Sequence, residues 1–254
     1  MKLEVLGCSG GIGGDLRTTS FLVDDDVLID AGTGVGSLGL SAMCKVDHIF
    51  VTHSHLDHVA CIPFLLDSVG CMRRQPVTVY ATAATVEILR EHIFNWRIWP
   101  DFTTIPSAER PYLRFETLDV GKSVLLSGRS ITPIPANHVV PAVGYHLDSG
   151  ASSLVFSGDT TCNGALWEYL NDIDNLRYLI IETAFPDKER DLAVASKHLC
   201  PAMLADELQQ LRRMPEILIT HLKPSEAELT MLEIHDRLGS YSPRMLLHGE
   251  TFNF

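Results

Sequence analysis

The stretch His53-Ser54-His55-Leu56-Asp57-His58 decides how this chain is read. It follows the run His48–Val51, which predicts a short buried strand ending at Thr52. His53 and His55 stand two apart on extended backbone, so both rings can turn to one side. A helix is predicted from about His58 to Val69, with Asp57 as its N-cap and Pro63 kinking it or marking its first turns. Because the chain bends there, Asp57 and His58 can face a second centre. Neutral imidazole and carboxylate are ligands that suit zinc and its neighbours in the transition series. Four such residues within six positions point to metal binding rather than to packing or a solvated loop.

Three more candidates stand just past apolar runs. His138 follows Ile131–Ala136, and His221 follows Glu216-Ile217-Leu218-Ile219-Thr220. Asp159 sits in Val155-Phe156-Ser157-Gly158-Asp159-Thr160, where Gly158 permits a tight turn that exposes the carboxylate. A lone histidine at a strand end is usually structural or solvated. Joined to the six-residue run, these three make a set of seven: His53, His55, Asp57, His58, His138, Asp159 and His221.

Bulk properties set limits around that set. The 254 residues suffice for one large α/β domain, and 46% hydrophobic with 20% charged residues is ordinary for a soluble protein. A formal net charge of −12 argues against a long nucleic-acid partner, which would select a basic footprint, and leaves small anionic substrates open. No basic segment precedes a long apolar run near Met1, and no apolar stretch reaches a membrane span. Cys8, Cys44, Cys61, Cys71, Cys162 and Cys200 are scattered without a CxxC pair, which reads as free thiols in a reducing cytoplasm.

Along the chain, β-like runs alternate with helical patterns. Strands are predicted at Leu3–Leu6, Ser20–Val23, Val27–Ile29, His48–Val51 and Val77–Ala81, with Asp24-Asp25-Asp26 as a hairpin turn. In the second half they fall at Ile131–Pro135, Ala142–His146, Leu154–Ser157, Tyr178–Glu182 and Ile217–Thr220, with a closing strand around Met245–His248. Helices are predicted at Ala83–Phe94, Asn163–Asn171, Pro201–Arg213 and Ser225–Leu238. With no linker between the halves, residues 1–254 read as one domain of two packed sheets covered by helices.

The run from His53 to His58, with His138, Ser157-Gly158-Asp159-Thr160 and Thr220-His221-Leu222-Lys223-Pro224, resembles the metallo-β-lactamase superfamily. The resemblance extends from Gly7-Cys8-Ser9-Gly10 through Asp30-Ala31-Gly32-Thr33 to His221. It implies an αββα four-layer sandwich with two divalent metal ions at one edge of the sheets. By that pattern His53, His55 and His138 bind the first ion, Asp57, His58 and His221 the second, and Asp159 bridges them. Zinc is favoured by ligand type, and manganese or iron fits the same set.

Several segments direct the resemblance towards phosphodiesters. Export-type β-lactamases place a cysteine at the second metal, where this chain has Asp159. The stretch His138-Val139-Val140-Pro141-Ala142-Val143-Gly144-Tyr145 resembles one shared by ribonuclease Z and related phosphodiesterases. Ribonuclease Z inserts a long arm between its Gly-Tyr strand and its Ser-Gly-Asp strand, and here only His146–Ser153 intervene. The segments Ile181–Phe185, Lys197–Pro201 and Ile219–Pro224 look most like class II cyclic-nucleotide phosphodiesterases; Cys61 departs from the glycine or serine usual in that class. The resemblance implies hydrolysis of small phosphodiesters, 3′,5′-cyclic nucleotides foremost, by a hydroxide shared between the ions. His198 matches the extra histidine of these branches and implies a general acid, with Asp57 counted beside it as catalytic as well as ligating. A ribonuclease Z-like enzyme, another phosphodiesterase, a thiolester hydrolase and a non-catalytic metal-binding protein are the alternatives.

Other residues carry weaker signals. Lys223 is equally an anion contact or a solvated lysine, and Glu182 reads as an orienter of a metal-binding histidine. Gly10–Gly14 is a flexible loop able to border a substrate, and His248 reads as structural. Phe94–Phe102 gathers four aromatics and reads as a homodimer contact or a wall of the site.

Overall fold

Ile49 and Phe50 are adjacent and both fully buried, so their strand is covered on both faces. The same holds for Leu179, Ile180 and Ile181. In the computed structural model, which describes residues 1–254, fourteen strands run in this order. They are β1 (Lys2–Gly7), β2 (Ser20–Val23), β3 (Val27–Ile29), β4 (His48–Phe50), β5 (Val77–Thr82), β6 (Leu113–Leu118) and β7 (Val124–Leu126). Then follow β8 (Arg129–Pro135), β9 (Val143–Asp148), β10 (Ser153–Phe156), β11 (Leu176–Glu182), β12 (Glu216–Thr220), β13 (Arg244–Met245) and β14 (Thr251–Asn253). The α-helices are α1 (Leu40–Met43), α2 (Leu56–Val59), α3 (Cys61–Val69), α4 (Ala83–His92), α5 (Gly164–Asn171), α6 (Arg190–Ser196), α7 (Pro201–Leu208) and α8 (Ala227–Leu238).

The strands form two seven-stranded sheets, ordered β14-β1-β2-β3-β4-β5-β6 and β13-β12-β11-β10-β9-β8-β7. Alternation along each strand sorts the apolar side chains into three layers. Phe21, Ile29 and Phe50 meet Tyr145, Phe156 and Ile180 between the sheets. Leu28, Ile49 and Val79 face outward onto Ile62, Leu65 and Leu66 of α3 and Val86 and Leu89 of α4. On the other side, Val155, Leu179, Ile181 and Ile219 pack beneath Trp167 of α5, Leu204 of α7 and Ile234 of α8. The result is the αββα sandwich that the residues implied.

Several boundaries differ from the sequence reading. The closing strand at Met245–His248 is instead two pieces, β13 and β14, which belong to different sheets and are joined by a turn. Asp57 is not an N-cap: α2 starts at Leu56 with His55 capping, and Asp57 lies in the first turn. The predicted helix is interrupted at Ala60, and Pro63 falls in the first turn of α3, where its missing N–H costs nothing. The helix from Pro201 stops at Leu208, and the Arg212 amide turns back to Asn171 Oδ1 (2.8 Å). Helix α4 ends at His92 rather than Phe94, with Thr82 capping its start through its side chain. Strands β6 and β7, the outermost of their sheets, escaped prediction because exposed Arg114 and Glu116 break the apolar run of β6 and β7 has three residues.

One ion-pair cluster ties the sheets at their rim. Arg129, at the start of β8, donates to both Asp26 oxygens (2.5 and 2.7 Å) and to Asp24 Oδ2 (3.2 Å) in the β2–β3 turn. The hydrogen bond from Arg129 holds the Asp26 carboxyl below its ordinary range. Arg129→Ala should cost about 1–2 kcal/mol in a urea titration at pH 7. A depressed carboxyl contributes stability above its unfolded pKa and loses it as pH falls through the folded value. The deficit should therefore shrink below about pH 4, and an equal deficit at pH 3 and pH 7 would exclude this ion pair as its source.

Candidate metal centre

At the end of β4, three bonds set the path of the histidine run. The Val51 amide donates to Tyr80 O (2.9 Å), and Tyr145 of the facing sheet donates its hydroxyl to Val51 O (2.7 Å). Thr52 then donates its amide and its hydroxyl to the two oxygens of Asp30 (2.8 Å each). Asp30 ends β3 on left-handed backbone (φ 56°) and is fully buried. It also accepts from His58 Nδ1 at 2.7 Å, which leaves His58 Nε2 free to face the centre.

The other side supplies His138, Asp159 and His221. His138 Nδ1 donates to Lys197 O (3.0 Å), while Lys197 Nζ returns bonds to His138 O (3.1 Å) and Asn137 Oδ1 (3.2 Å). Lys197 therefore fixes which face His138 presents. Asp159 follows Gly158, whose φ of 61° and 2.5 Å approach of Val143 O to a would-be Cβ admit only glycine. His221 itself adopts φ 64° and anchors its amide on Cys8 O (2.8 Å). Gly10 packs so tightly there that a Cβ would lie 2.3 Å from His221 O, so the glycine loop after β1 buttresses His221.

All seven candidates converge. Donor atoms of His53, His55, His138 and Asp159 lie within 4.8 Å of one another, as do those of Asp57, His58, Asp159 and His221. Asp159 belongs to both groups, with Oδ2 at 3.4 Å from His58 Nε2 and 3.6 Å from His53 Nε2, and Oδ1 at 3.4 Å from His221 Nδ1. His53 Nε2, His58 Nε2, Asp159 Oδ1 and His221 Nδ1 are buried without a hydrogen-bond partner. Buried polar atoms are seldom left so, and four of them aimed at one space fit divalent cations. Burial pushes His138 down to about 4 and His221 down to about 3, so both rings are neutral at pH 7, the form in which imidazole can bind a metal. Burial opposes ionisation of Asp159, but His221, His58 and His53 around it outweigh this and hold the carboxyl well below its usual range.

His198 stands outside both groups but within the same cluster. Its ring is stacked 5.2 Å from His221 and lies 4.9 Å from His138. Nδ1 donates to Glu182 Oε1 at 2.7 Å. Glu182, fully buried, also accepts from the Thr160 amide (3.1 Å). Glu182 therefore orients His198, not one of the metal-capable histidines. Burial alone would lower the His198 pKa, yet the Glu182 carboxylate raises it above the ordinary value.

The remaining candidates fall into place around this cluster. Lys223 donates to Gly10 O (2.9 Å) and lies over the Phe185 ring, so its charge braces the glycine loop. His248 is structural, bonded to Leu6 O at 2.9 Å. Phe94 and Phe102 are buried in the outer layer, whereas Trp96 and Ile98 are about two-thirds exposed. All six cysteines are free thiols. Asp30, Thr52 and Lys197 were not singled out from sequence; an aspartate just past the apolar run Val27–Ile29 was the available signal for the first. Asp30→Asn should weaken metal affinity about 10–100-fold, measured by competition with a chromogenic chelator. Unchanged affinity would mean that Asp30 serves folding alone.

Comparison with known proteins agrees with this geometry. A model of the beta-lactamase superfamily domain matches residues 26–247. A probable 3′,5′-cyclic-nucleotide phosphodiesterase of Yersinia pestis is 28% identical over 71% of this chain and 58% of its own length, so the chain spans little more than half of that relative. A 3′,5′-cyclic-nucleotide phosphodiesterase of Aliivibrio fischeri is 26% identical over 87% of this chain and 80% of that protein. Unliganded yeast PDE1 superposes with a TM-score of 0.83 at 17% identity, covering 100% of this chain and 99% of that one, a likeness of fold. With two metal-capable groups at the edge of an αββα sandwich, the chain belongs to the metallo-β-lactamase superfamily.

Proposed function

We propose that this metal-dependent hydrolase cleaves small phosphodiesters, 3′,5′-cyclic nucleotides foremost, to 5′-nucleotides. The observation that carries the proposal is the His198–Glu182 pair held against the metal-capable cluster. A ribose 3′-oxygen is a poor leaving group and needs a proton as it departs. A thiolate, with a thiol pKa of about 8.5, departs without one. A histidine whose charged form is favoured by a buried glutamate therefore suits phosphodiester rather than thiolester cleavage.

In this proposal His53, His55 and His138 would hold one ion and Asp57, His58 and His221 the other, with Asp159 as the ligand shared by both groups; zinc suits this donor set. The bound ions supply an activated water and neutralise charge on the phosphoryl oxygens. His198 donates the proton to the leaving oxygen, and Glu182 restrains its ring and favours its charged form. Asp57, whose side chain is 30% exposed, is the most solvent-facing carboxylate of the cluster and the one placed to touch the incoming substrate.

The surroundings support a small substrate. An open hollow of about 580 Å³ lies beside His138, lined by Val139, Val140, Pro141 and the start of α4, and offers apolar surface to a substrate. Strands β9 and β10 are joined by only the four residues between Asp148 and Ser153, too few for an RNA-gripping arm. The net charge of −12 supports the same conclusion. No helix is long and apolar enough to cross a membrane. We place the protein in the cytoplasm as one catalytic unit, with exposed Phe64, Trp96 and Ile98 as the surface for a homodimer. Turnover of cyclic AMP, cyclic GMP, bis(p-nitrophenyl) phosphate and a glutathione thiolester on one zinc-loaded sample tests the assignment. Phosphodiester turnover is expected, and thiolester turnover alone would overturn it.

A further inference from the structure

A second feature lies at the opposite end of the first sheet. Arg73, Arg74, Arg110 and Arg114 line one cavity of about 710 Å³. The chain carries only 20 lysines and arginines against a net charge of −12, so four guanidinium groups around one hollow run against its overall charge. The cavity is formed by the segment entering β5 and the segment entering β6, at the N-terminal ends of two neighbouring parallel strands. Four of the metal-capable residues, His53 to His58, leave from the C-terminal end of the adjacent parallel strand β4. With about 3.3 Å of rise per residue, the six residues of β5 separate the two places by roughly 20 Å.

Three of the four arginines are without an ion pair. Arg73 has a side chain only 6% exposed, bonded to Asp47 and to the carbonyl of Cys44, yet its Nε is buried without a partner. Arg74, Arg110 and Arg114 are exposed and enter no ion pair, and Glu109 is the sole carboxylate in the lining. An edge strand is guarded by charges on the strand itself, and of the four only Arg114 lies on β6. Four arginines drawn from two separate segments exceed that need. Only two of the thirteen lining residues are hydrophobic, so an occupant would be recognised by charge rather than by stacking.

We propose that this cavity binds a small polyphosphate: two or more linked phosphate groups, as in inorganic pyrophosphate or the tail of a nucleoside diphosphate. Guanidinium forks match phosphate oxygens in pairs, and arginines from two segments offer more donors than the oxygens of one phosphate take up in paired fashion. The volume falls in the range of nucleotide-sized sites, about 300–1,000 Å³. The site is separate from the metal centre and does not depend on the proposed reaction.

Calorimetric titration of the zinc-loaded protein with pyrophosphate tests the site, with Arg110→Glu/Arg114→Glu as the comparison. Both side chains are exposed, so the variant should keep its fold and zinc content, checked by circular dichroism and elemental analysis. Any pyrophosphate held at the metal centre is common to both proteins and cancels. Wild type should bind one more pyrophosphate per chain than the variant, and that extra binding should weaken as salt is raised. Adenosine diphosphate should fill the same extra site. Equal stoichiometry in the two proteins would overturn the proposal, as would orthophosphate binding there as tightly as pyrophosphate. Should the double variant misfold, Arg74→Gln/Arg110→Gln gives the same comparison.

Discussion

Asp159→Ala should strip the protein of both ions and lower turnover on the order of 10³-fold or more. Asp159 is the one residue in both metal-capable groups, so a single replacement opens both. Its carboxylate also supplies the negative charge around which His53, His58 and His221 gather. Elemental analysis after dialysis should find about two zinc ions per chain in the wild type and well under one in the variant. Asp159→Asn keeps the shape but not the charge, and should fall between the two. A variant that kept both ions and a tenth of the activity would refute the bridging role.

His198→Ala should reduce turnover of a cyclic nucleotide about 10²–10⁴-fold while leaving the metal content intact. The pH profile separates a proton donor from a packing residue. Burial lowers the His198 pKa, and the Glu182 carboxylate more than reverses it, so the net displacement is upward. With His198 as the proposed proton donor, activity should hold below that raised value and fall as pH rises through it. In His198→Ala that alkaline limb should vanish, and Glu182→Gln should move it to lower pH. The loss should also shrink for bis(p-nitrophenyl) phosphate, whose phenol leaves without help. An equal loss for both substrates, with the alkaline limb unchanged, would reduce His198 to a structural role.

What was legible in the sequence depended on how locally each feature is encoded. The run from His53 to His58 is contiguous, and strands such as β4 and β11 are buried on both faces, so their apolar runs stand out. The seven-residue cluster followed from strand ends and resemblance, and the fold brings all seven together. Asp30 was passed over because its role depends on a bond to His58, 28 positions away. Glu182 was given the wrong partner for the same reason: its strand was clear, but which histidine it would meet is a matter of packing between β11 and the loop before α7. The edge strands β6 and β7 were lost because one side of an edge strand meets solvent and its pattern blurs. The split between β13 and β14 turns on a change of sheet, which no local pattern records.

The division of the ligand cluster between the two sheets has a consequence for biosynthesis. His53, His55, Asp57 and His58 come from the first half of the chain, and His138, Asp159 and His221 from the second. Each group of four takes two members from either side, so neither half can cage an ion by itself. A ribosome must release residue 221 before the second group exists at all. On the proposed assignment the first group is complete once residue 159 has been made and the second only with residue 221, so both ions can be caged only after the two sheets have met. An ion once seated stitches the two sheets together, so chelation should loosen the seam between them before it disturbs either helical layer.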